Sequence, residues 1–122
     1  MKKRILLVDD EQDVLDLLKY NLEAEGYEIM TATDTLRAFE LAQNGPDLII
    51  LEAMLPNNED GWAFICKLRQ MENKKSIPII CLTTKTDEKD NPCGTACEVN
   101  DYLIKPVSMQ NLLSHVKAVL QK

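Results

Sequence analysis

The chain has 122 residues, the length of one domain, which can bury roughly two thirds of its unfolded surface without disulfides or metals. Its net charge of −6 argues against nonspecific binding to nucleic acid or to anionic membranes, because both are themselves negatively charged. No apolar run approaches the roughly 18 residues of a transmembrane helix, and aspartates interrupt the first apolar run too early for a signal peptide.

Short apolar runs alternate with helical patterns along the chain. The run 48–51 is apolar throughout, which is typical of a parallel strand covered on both faces, whereas 27–31 mixes polar and apolar residues and suits an edge strand. Strand–helix units in series predict an α/β fold with a parallel sheet, right-handed crossovers and helices on both faces. The predicted strands are 4–8, 27–32, 47–51, 77–82 and 101–104, and the predicted helices are 11–25, 34–44, 60–72, about 90–98 and 108–121.

The predicted helices also carry end signals. Gly26 and Gly45 stand just past the first and second helices, where a residue with positive φ is commonly needed. Ser108 stands before the last helix and is expected to cap it, because its hydroxyl can accept a hydrogen bond from the first turn. Apolar residues at helical spacing, such as Leu15 and Leu18, indicate that the helices pack one face against the sheet.

Acids, a hydroxyl and an amine follow four of the predicted strands. Asp9 and Asp10 come directly after the first strand, and Glu52 comes directly after the third. Thr83 follows the fourth strand and Lys105 follows the fifth. Because the carboxyl ends of parallel strands meet at one edge of a sheet, these side chains are expected to lie together there.

This series of strand ends resembles the receiver domain of bacterial two-component response regulators, and the resemblance covers essentially all 122 residues. It implies a flavodoxin-like, doubly wound (βα)5 sheet with strand order 2-1-3-4-5. In that family the residue matching Glu52 is the aspartate that accepts the phosphoryl group. The resemblance further implies that Lys105 contacts the phosphoryl oxygens, that Thr83 moves toward them, and that Tyr102 changes rotamer on activation.

The acids at this edge form a candidate metal site. Asp9, Asp10 and Glu52 would bring three carboxylates close together, where their mutual repulsion favours either uptake of a proton or binding of a cation. These carboxylates and the backbone carbonyl of Met54 suit Mg²⁺, which prefers oxygen ligands and keeps several waters. Considered alone, the run Asp9-Asp10-Glu11 would instead be interpreted as a polar helix start that is favourable to the helix dipole.

Glutamate in place of aspartate is the main departure from the family pattern. The extra carbon–carbon bond moves the carboxylate outward by about 1.5 Å, and a misplacement of about 1 Å can cost roughly a hundredfold in rate. We therefore expect negligible phosphorylation and weakened Mg²⁺ binding at Glu52. Two outcomes stay open: Glu52 partly imitates a phosphorylated aspartate through its charge, or the site is inert and the domain is a constitutive docking module. The loop 55–61 is also one residue longer than the family pattern, which could reshape the pocket wall.

Two other functions are compatible with parts of this pattern. In the first, the chain is a conventional Mg²⁺-dependent phosphorelay receiver in which Glu52 or a neighbour still accepts a phosphoryl group. In the second, the chain is a flavodoxin-like binder of a nucleotide or flavin, which needs phosphate-cradling glycines and hydroxyls after the first strand. The sequence has Asp9-Asp10-Glu11-Gln12 there, and these acids would repel a phosphate unless a metal intervened.

The resemblance implies a single receiver domain over residues 1–122 that acts through protein contacts rather than as an enzyme. The expected partners are a sensor histidine kinase or phosphotransfer protein, an output domain, and a second receiver. The expected homodimer surface combines helix 90–98, strand 101–104 and helix 108–121. We expect neither nucleic acid nor membrane to be bound by these residues.

The four cysteines are consistent with a reduced, cytoplasmic protein, since reduced thiols are the rule in the cytosol. Cys66 falls in a helical pattern and Cys81 in a buried strand, so both are interpreted as small core hydrophobes. Cys93 and Cys97 have the spacing of half a metal site on one helix face. That interpretation has little support, because His115 is the only histidine and lies far along the chain.

Overall fold

The computed structural model describes residues 2–52, 61–71, 77–83, 99–104 and 106–121. The strands are β1 (Arg4–Val8), β2 (Glu28–Ala32), β3 (Leu48–Glu52), β4 (Ile79–Thr83) and β5 (Asp101–Ile104). The helices are α1 (Gln12–Ala24), α2 (Thr35–Ala42), α3 (Gly61–Arg69) and α4 (Met109–Leu120). The helix predicted at 90–98 lies outside the described residues. Among the helices of the described ranges, none is long and apolar enough to cross a membrane.

The five described strands form one parallel sheet with the order β2-β1-β3-β4-β5. This order confirms the predicted flavodoxin-like α/β architecture. β3 lies at the centre of the sheet and all of its residues are buried, which explains its uninterrupted apolar run. β2 lies at an edge, as predicted, and Ala32 is its one buried residue.

Each face of the sheet has its own hydrophobic core, because successive residues of a strand point to opposite faces. The first core packs β1, β3 and β4 against α2 and α3; the second core packs the same strands and β5 against α1 and α4. Helices on both faces leave the strand ends as the place where polar side chains can converge. The first core includes Leu6, Val8, Ala38, Phe64, Ile65 and Leu68, and the second includes Ile5, Leu7, Leu15, Leu22, Leu112 and Val116.

Local chemistry sets the ends of several elements. Gly26 and Gly45 follow α1 and α2 with φ values of 96° and 69°, which residues with a Cβ rarely adopt. The Ser108 hydroxyl caps α4, as predicted, by accepting a hydrogen bond of 3.1 Å from a backbone N–H in the first turn. β4 begins at Ile79, later than the predicted start at 77, because Pro78 has no N–H to donate to a neighbouring strand.

The cysteines depart in one respect from the sequence-based prediction. Cys81 is completely buried in β4, as predicted. Cys66 is disulfide-bonded, whereas its helical pattern predicted a reduced core residue. Cys66 is only partly buried on α3, so its sulfur is more accessible to oxidation than a core thiol. The proposed half-site at Cys93 and Cys97 lies outside the described residues.

Candidate functional site

The register of neighbouring strands brings the ends of β1, β3 and β4 to one edge of the sheet. Val8 of β1 pairs with Leu51 of β3, so the residues that come next, Asp9 and Glu52, are neighbours at the carboxyl ends. Glu52 also pairs with Leu82 of β4. Glu52 therefore lies between the ends of β1 and β4, at the edge where parallel α/β sheets bind ligands.

Asp9 and Glu52 are the charged residues that are buried within the described part of the chain. Asp9 is 2% exposed and Glu52 is 6% exposed. An ionised carboxylate loses its hydration on burial, so it needs hydrogen bonds, a cation or a proton as compensation. Two buried carboxylates at one sheet edge are more typical of a functional site than of an ordinary strand end.

Backbone contacts hold Asp9 in place. Its N–H donates to the carbonyl oxygen of Ala32 at 3.1 Å, which extends the pairing of β1 with β2 by one residue. Its Oδ1 accepts a hydrogen bond of 3.0 Å from the N–H of Glu11. This side-chain contact turns the chain from β1 into α1 and fixes the orientation of the carboxylate within the fold.

Three consecutive acids form the acidic cluster, which we define as Asp9, Asp10 and Glu11. One carboxylate oxygen from each residue lies within 4.8 Å of the corresponding oxygens of the other two. Glu52 is not a member of this cluster, so the structure groups two of the three predicted acids and adds Glu11. The sequence did contain a signal for Glu11, because it continues the acidic run, but that run is equally suited to a polar helix start.

The donor atoms of the acidic cluster fit a hard divalent cation. Carboxylate oxygens are ligands that Mg²⁺ prefers, and the cluster supplies one from each residue. Asp9 is buried, whereas Asp10 and Glu11 are exposed. One side of such a site therefore faces water, which suits Mg²⁺ because this ion usually keeps several water ligands.

The other predicted site residues are described only in part. Thr83 is the last residue of β4 and pairs with Ile104 of β5, so its backbone lies at the same edge of the sheet. The Thr83 side chain, Met54 and Lys105 lie outside the described residues. Tyr102 lies on β5, where its half-buried side chain packs against the first core.

An apolar groove opens beside Glu11. It has a volume of about 460 Å³ and runs between α1 and the segment that leads into α4. Leu17, Leu18, Val107 and Met109 are among its lining residues, and Leu17 is 59% exposed. A concave apolar surface of this kind is typical of a place where another protein segment docks.

Comparison with known sequences identifies relatives of the whole chain. A model of the response regulator receiver domain family matches residues 5–117. Over its full length the chain is 42% identical to the alkaline phosphatase synthesis transcriptional regulatory protein PhoP of Bacillus subtilis (strain 168). It covers 50% of that protein, so the chain spans about half the length of this curated relative.

Solved structures share the fold. The chemotaxis response regulator CheY4 of Vibrio cholerae is 30% identical with a TM-score of 0.88, and the match covers 98% of this chain and 100% of that one. The receiver domain of the sensor histidine kinase PA1611 of Pseudomonas aeruginosa PAO1 is 27% identical with a TM-score of 0.87, and the match covers 100% of both chains. The PA1611 structure has a magnesium ion coordinated in its active site cleft.

Proposed function

This chain belongs to the response regulator receiver domain family, and on that premise we propose that it acts in two-component signalling through protein–protein contacts. In this proposal residues 1–122 form one receiver domain, and Glu52 occupies the position of the aspartate that accepts the phosphoryl group. The observation that carries the proposal is the placement of Glu52. It is the buried last residue of β3 and a neighbour of Asp9 at the carboxyl edge of the sheet.

Glu52 is proposed to suppress normal phosphoryl transfer. In-line transfer needs the accepting oxygen in a defined position beside the metal. The additional methylene displaces the carboxylate by about 1.5 Å, and burial of Glu52 at 6% exposure leaves little free space in which it could retract. We expect transfer to be slowed by at least about a hundredfold relative to aspartate at the same position.

A Mg²⁺ ion is proposed to bind between Asp9, Asp10, Glu52 and the backbone carbonyl of Met54. The acidic cluster supports the roles of Asp9 and Asp10, and the magnesium ion of the PA1611 receiver supports the choice of metal. When bound, Mg²⁺ would neutralise charge on the phosphoryl oxygens. Its octahedral geometry is demanding, so the longer arm of Glu52 should weaken binding relative to aspartate.

The residues proposed to change their contacts or position when the site changes its state are Lys105, Thr83 and Tyr102. Lys105 would contact phosphoryl oxygens or the Glu52 carboxylate, Thr83 would move toward them, and Tyr102 would change rotamer. The position of Thr83 at the end of β4 supports this arrangement. Glu52 can shift the domain toward its active-like state only if its carboxylate interacts more favourably with that state than with the inactive state.

The proposed partners are a sensor histidine kinase or phosphotransfer protein, an output domain, and a second receiver. The apolar groove beside Glu11 supports contact with a protein partner, because concave apolar surfaces commonly serve as docking sites. We propose that a homodimer forms through segment 90–98, β5 and α4. We also propose that the protein is cytoplasmic. The net charge of −6 is unfavourable for direct contact with nucleic acid or anionic membrane.

Intact-mass spectrometry of the Glu52→Asp chain tests the proposal. The variant is incubated with a small acyl-phosphate donor, with and without Mg²⁺, beside the same variant that also carries Asp9→Asn. We expect Glu52→Asp to gain one phosphoryl group only when Mg²⁺ is present, and the double variant to gain none, because Asp9 helps to hold the metal.

Two results would overturn the proposal. If Glu52→Asp gains no phosphoryl group, this edge of the sheet does not accept one, and Glu52 is not what prevents phosphorylation. If the unaltered chain is phosphorylated in a Mg²⁺-dependent reaction that Glu52→Gln abolishes, the chain is a conventional phosphorelay receiver.

A further inference from the structure

A polar contact joins α4 to the beginning of β5. His115 Nδ1 hydrogen-bonds to Asp101 Oδ2, and the two side chains are 34% and 32% exposed. The other oxygen of the same carboxylate, Oδ1, accepts a hydrogen bond of 2.9 Å from the N–H of Tyr102. The Asp101 carboxylate therefore connects an α4 side chain to the backbone of Tyr102.

This connection passes from one face of the sheet to the other. Leu103 packs in the second core with Leu112 and Val116 of α4, whereas Tyr102 packs against the first core. Side chains alternate along a strand, so Asp101 lies on the same face as Leu103 and α4. A contact that α4 makes on one face of the sheet is thus linked, through Asp101, to the backbone of Tyr102, whose side chain lies on the other face.

The beginning of β5 is also fixed on the side of β4. Asn100 Oδ1 accepts a hydrogen bond of 2.9 Å from the N–H of Ile79, and the Asn100 N–H donates to the Ile79 carbonyl oxygen at 2.8 Å. The backbone before Asp101 is consequently held in place. Movement of His115 should therefore be passed through the Asp101 carboxylate to Tyr102 rather than absorbed by the preceding segment.

We propose that His115 is a positioning residue for Tyr102, which acts through Asp101 and couples the surface of α4 to the switch. This inference rests on the proposed function, in which Tyr102 changes rotamer. A partner that binds α4 and displaces His115 would then bias Tyr102, and a change at Tyr102 would alter the affinity of α4 for that partner by the same factor. In this contact His115 Nδ1 carries the proton and donates it, because an ionised carboxylate oxygen only accepts.

Nuclear magnetic resonance on the ¹⁵N-labelled chain tests this coupling. The backbone amide signal of Tyr102 is compared between the unaltered chain, His115→Phe and His115→Gln. We expect His115→Phe to shift the signal, because the carboxylate loses one anchor and its contact with the Tyr102 N–H changes. We expect His115→Gln to restore part of the original position, because its side-chain amide can still donate to Asp101.

Lys117→Gln is the matched control on the same helix. Lys117 Nζ lies 3.1 Å from Glu25 Oε1, so this variant removes a polar contact of α4 that does not involve β5. The Tyr102 signal should stay in place in this variant. An unchanged signal in His115→Phe, or an equal shift in Lys117→Gln, would overturn the proposal.

The imidazole of His115 gives a second readout in the unaltered chain. His115 is the only histidine, so its ring nitrogens are assigned without ambiguity. At mildly alkaline pH we expect the proton on Nδ1, and Asp101→Asn should shift the population toward the Nε2–H form. A ring protonated on Nε2 in the unaltered chain would overturn the proposal, even if a variant failed to fold. Neither measurement uses phosphorylation, so failure of Glu52→Asp to gain a phosphoryl group would count against the proposed function alone.

Discussion

Asp9 is held by contacts of the fold itself before it can serve as a ligand. Its backbone extends the β1–β2 pairing, and its Oδ1 accepts the N–H of Glu11. These two contacts hold the carboxylate in one orientation, directed into the acidic cluster. Such preorganisation is what a metal site needs, because a ligand that is already oriented loses less conformational entropy on binding.

Asp9→Asn should lower the affinity for Mg²⁺ by at least about tenfold, because even the loss of residues that only support a metal ligand typically costs about 10- to 100-fold. The amide oxygen of asparagine can still accept the N–H of Glu11, so the turn into α1 should survive. Isothermal titration calorimetry with Mg²⁺ measures the change.

Glu40→Gln is a suitable control for this experiment. Glu40 is an exposed acid of α2 that lies 3.6 Å from Arg37, and it should leave Mg²⁺ binding unchanged. If Asp9→Asn and Glu40→Gln bind Mg²⁺ equally well, the acidic cluster is not the metal site.

The sequence did not predict that Glu11 would join Asp9 and Asp10 in the acidic cluster. Asp9, Asp10 and Glu52 follow strands that could be recognised from their apolar runs, so their meeting at one edge was predictable. Glu11 joins the cluster only because the turn between β1 and α1 directs its side chain back toward Asp9. That direction depends on turn geometry, which a run of three acids does not specify.

Two neighbouring leucines of α1 differ strongly in their burial. Leu15 is completely buried in the second core, whereas Leu17 is 59% exposed beside the groove. Leu15→Ala should lower the free energy of unfolding by about 2–5 kcal/mol, because it removes packed methyl groups and leaves a cavity. Leu17→Ala should change it by less than about 0.5 kcal/mol. Urea unfolding compares the two, and equal losses would show that α1 does not pack as described.

The cap of the last helix contributes on a smaller scale. Ser108→Ala removes the side-chain acceptor for a backbone N–H of the first turn of α4. We expect a loss of about 1 kcal/mol in the free energy of unfolding. Thermal unfolding measures it against Ser114→Ala, an exposed serine in the interior of the same helix. A loss no greater than that of the control would mean that Ser108 does not cap α4.

Most of the described elements could be located from hydrophobic periodicity and end signals. The central strand 48–51 and the caps at Gly26, Gly45 and Ser108 follow directly from local chemistry. Periodicity alone could not give the strand order, because many parallel arrangements bury the same apolar runs. The order 2-1-3-4-5 came from the family resemblance, and the sheet confirms it.

Across the whole molecule, the features that the sequence did not reveal are contacts between distant segments. Asp101 and His115 are separated by 14 positions, and neither belongs to a motif that predicts the pair. This contact follows from the packing of α4 against the sheet, which local sequence patterns do not specify.

The same arrangement gathers the features of the site at one edge of the molecule. Parallel strands covered by helices on both faces leave the carboxyl ends as the meeting place of Asp9 and Glu52. The acidic cluster and the apolar groove adjoin this edge. We therefore propose that this edge of the sheet can accept a phosphoryl group and that the additional methylene of Glu52 prevents the transfer.

A competition between two chains measures the effect of this methylene. The unaltered chain and Glu52→Asp are mixed in equal amounts with an acyl-phosphate donor and Mg²⁺, and intact-mass spectrometry follows both in the same sample, because their masses differ by one methylene. We predict that Glu52→Asp gains its phosphoryl group at least about a hundredfold faster. Equal rates of phosphorylation in the two chains would mean that Glu52 does not silence the site.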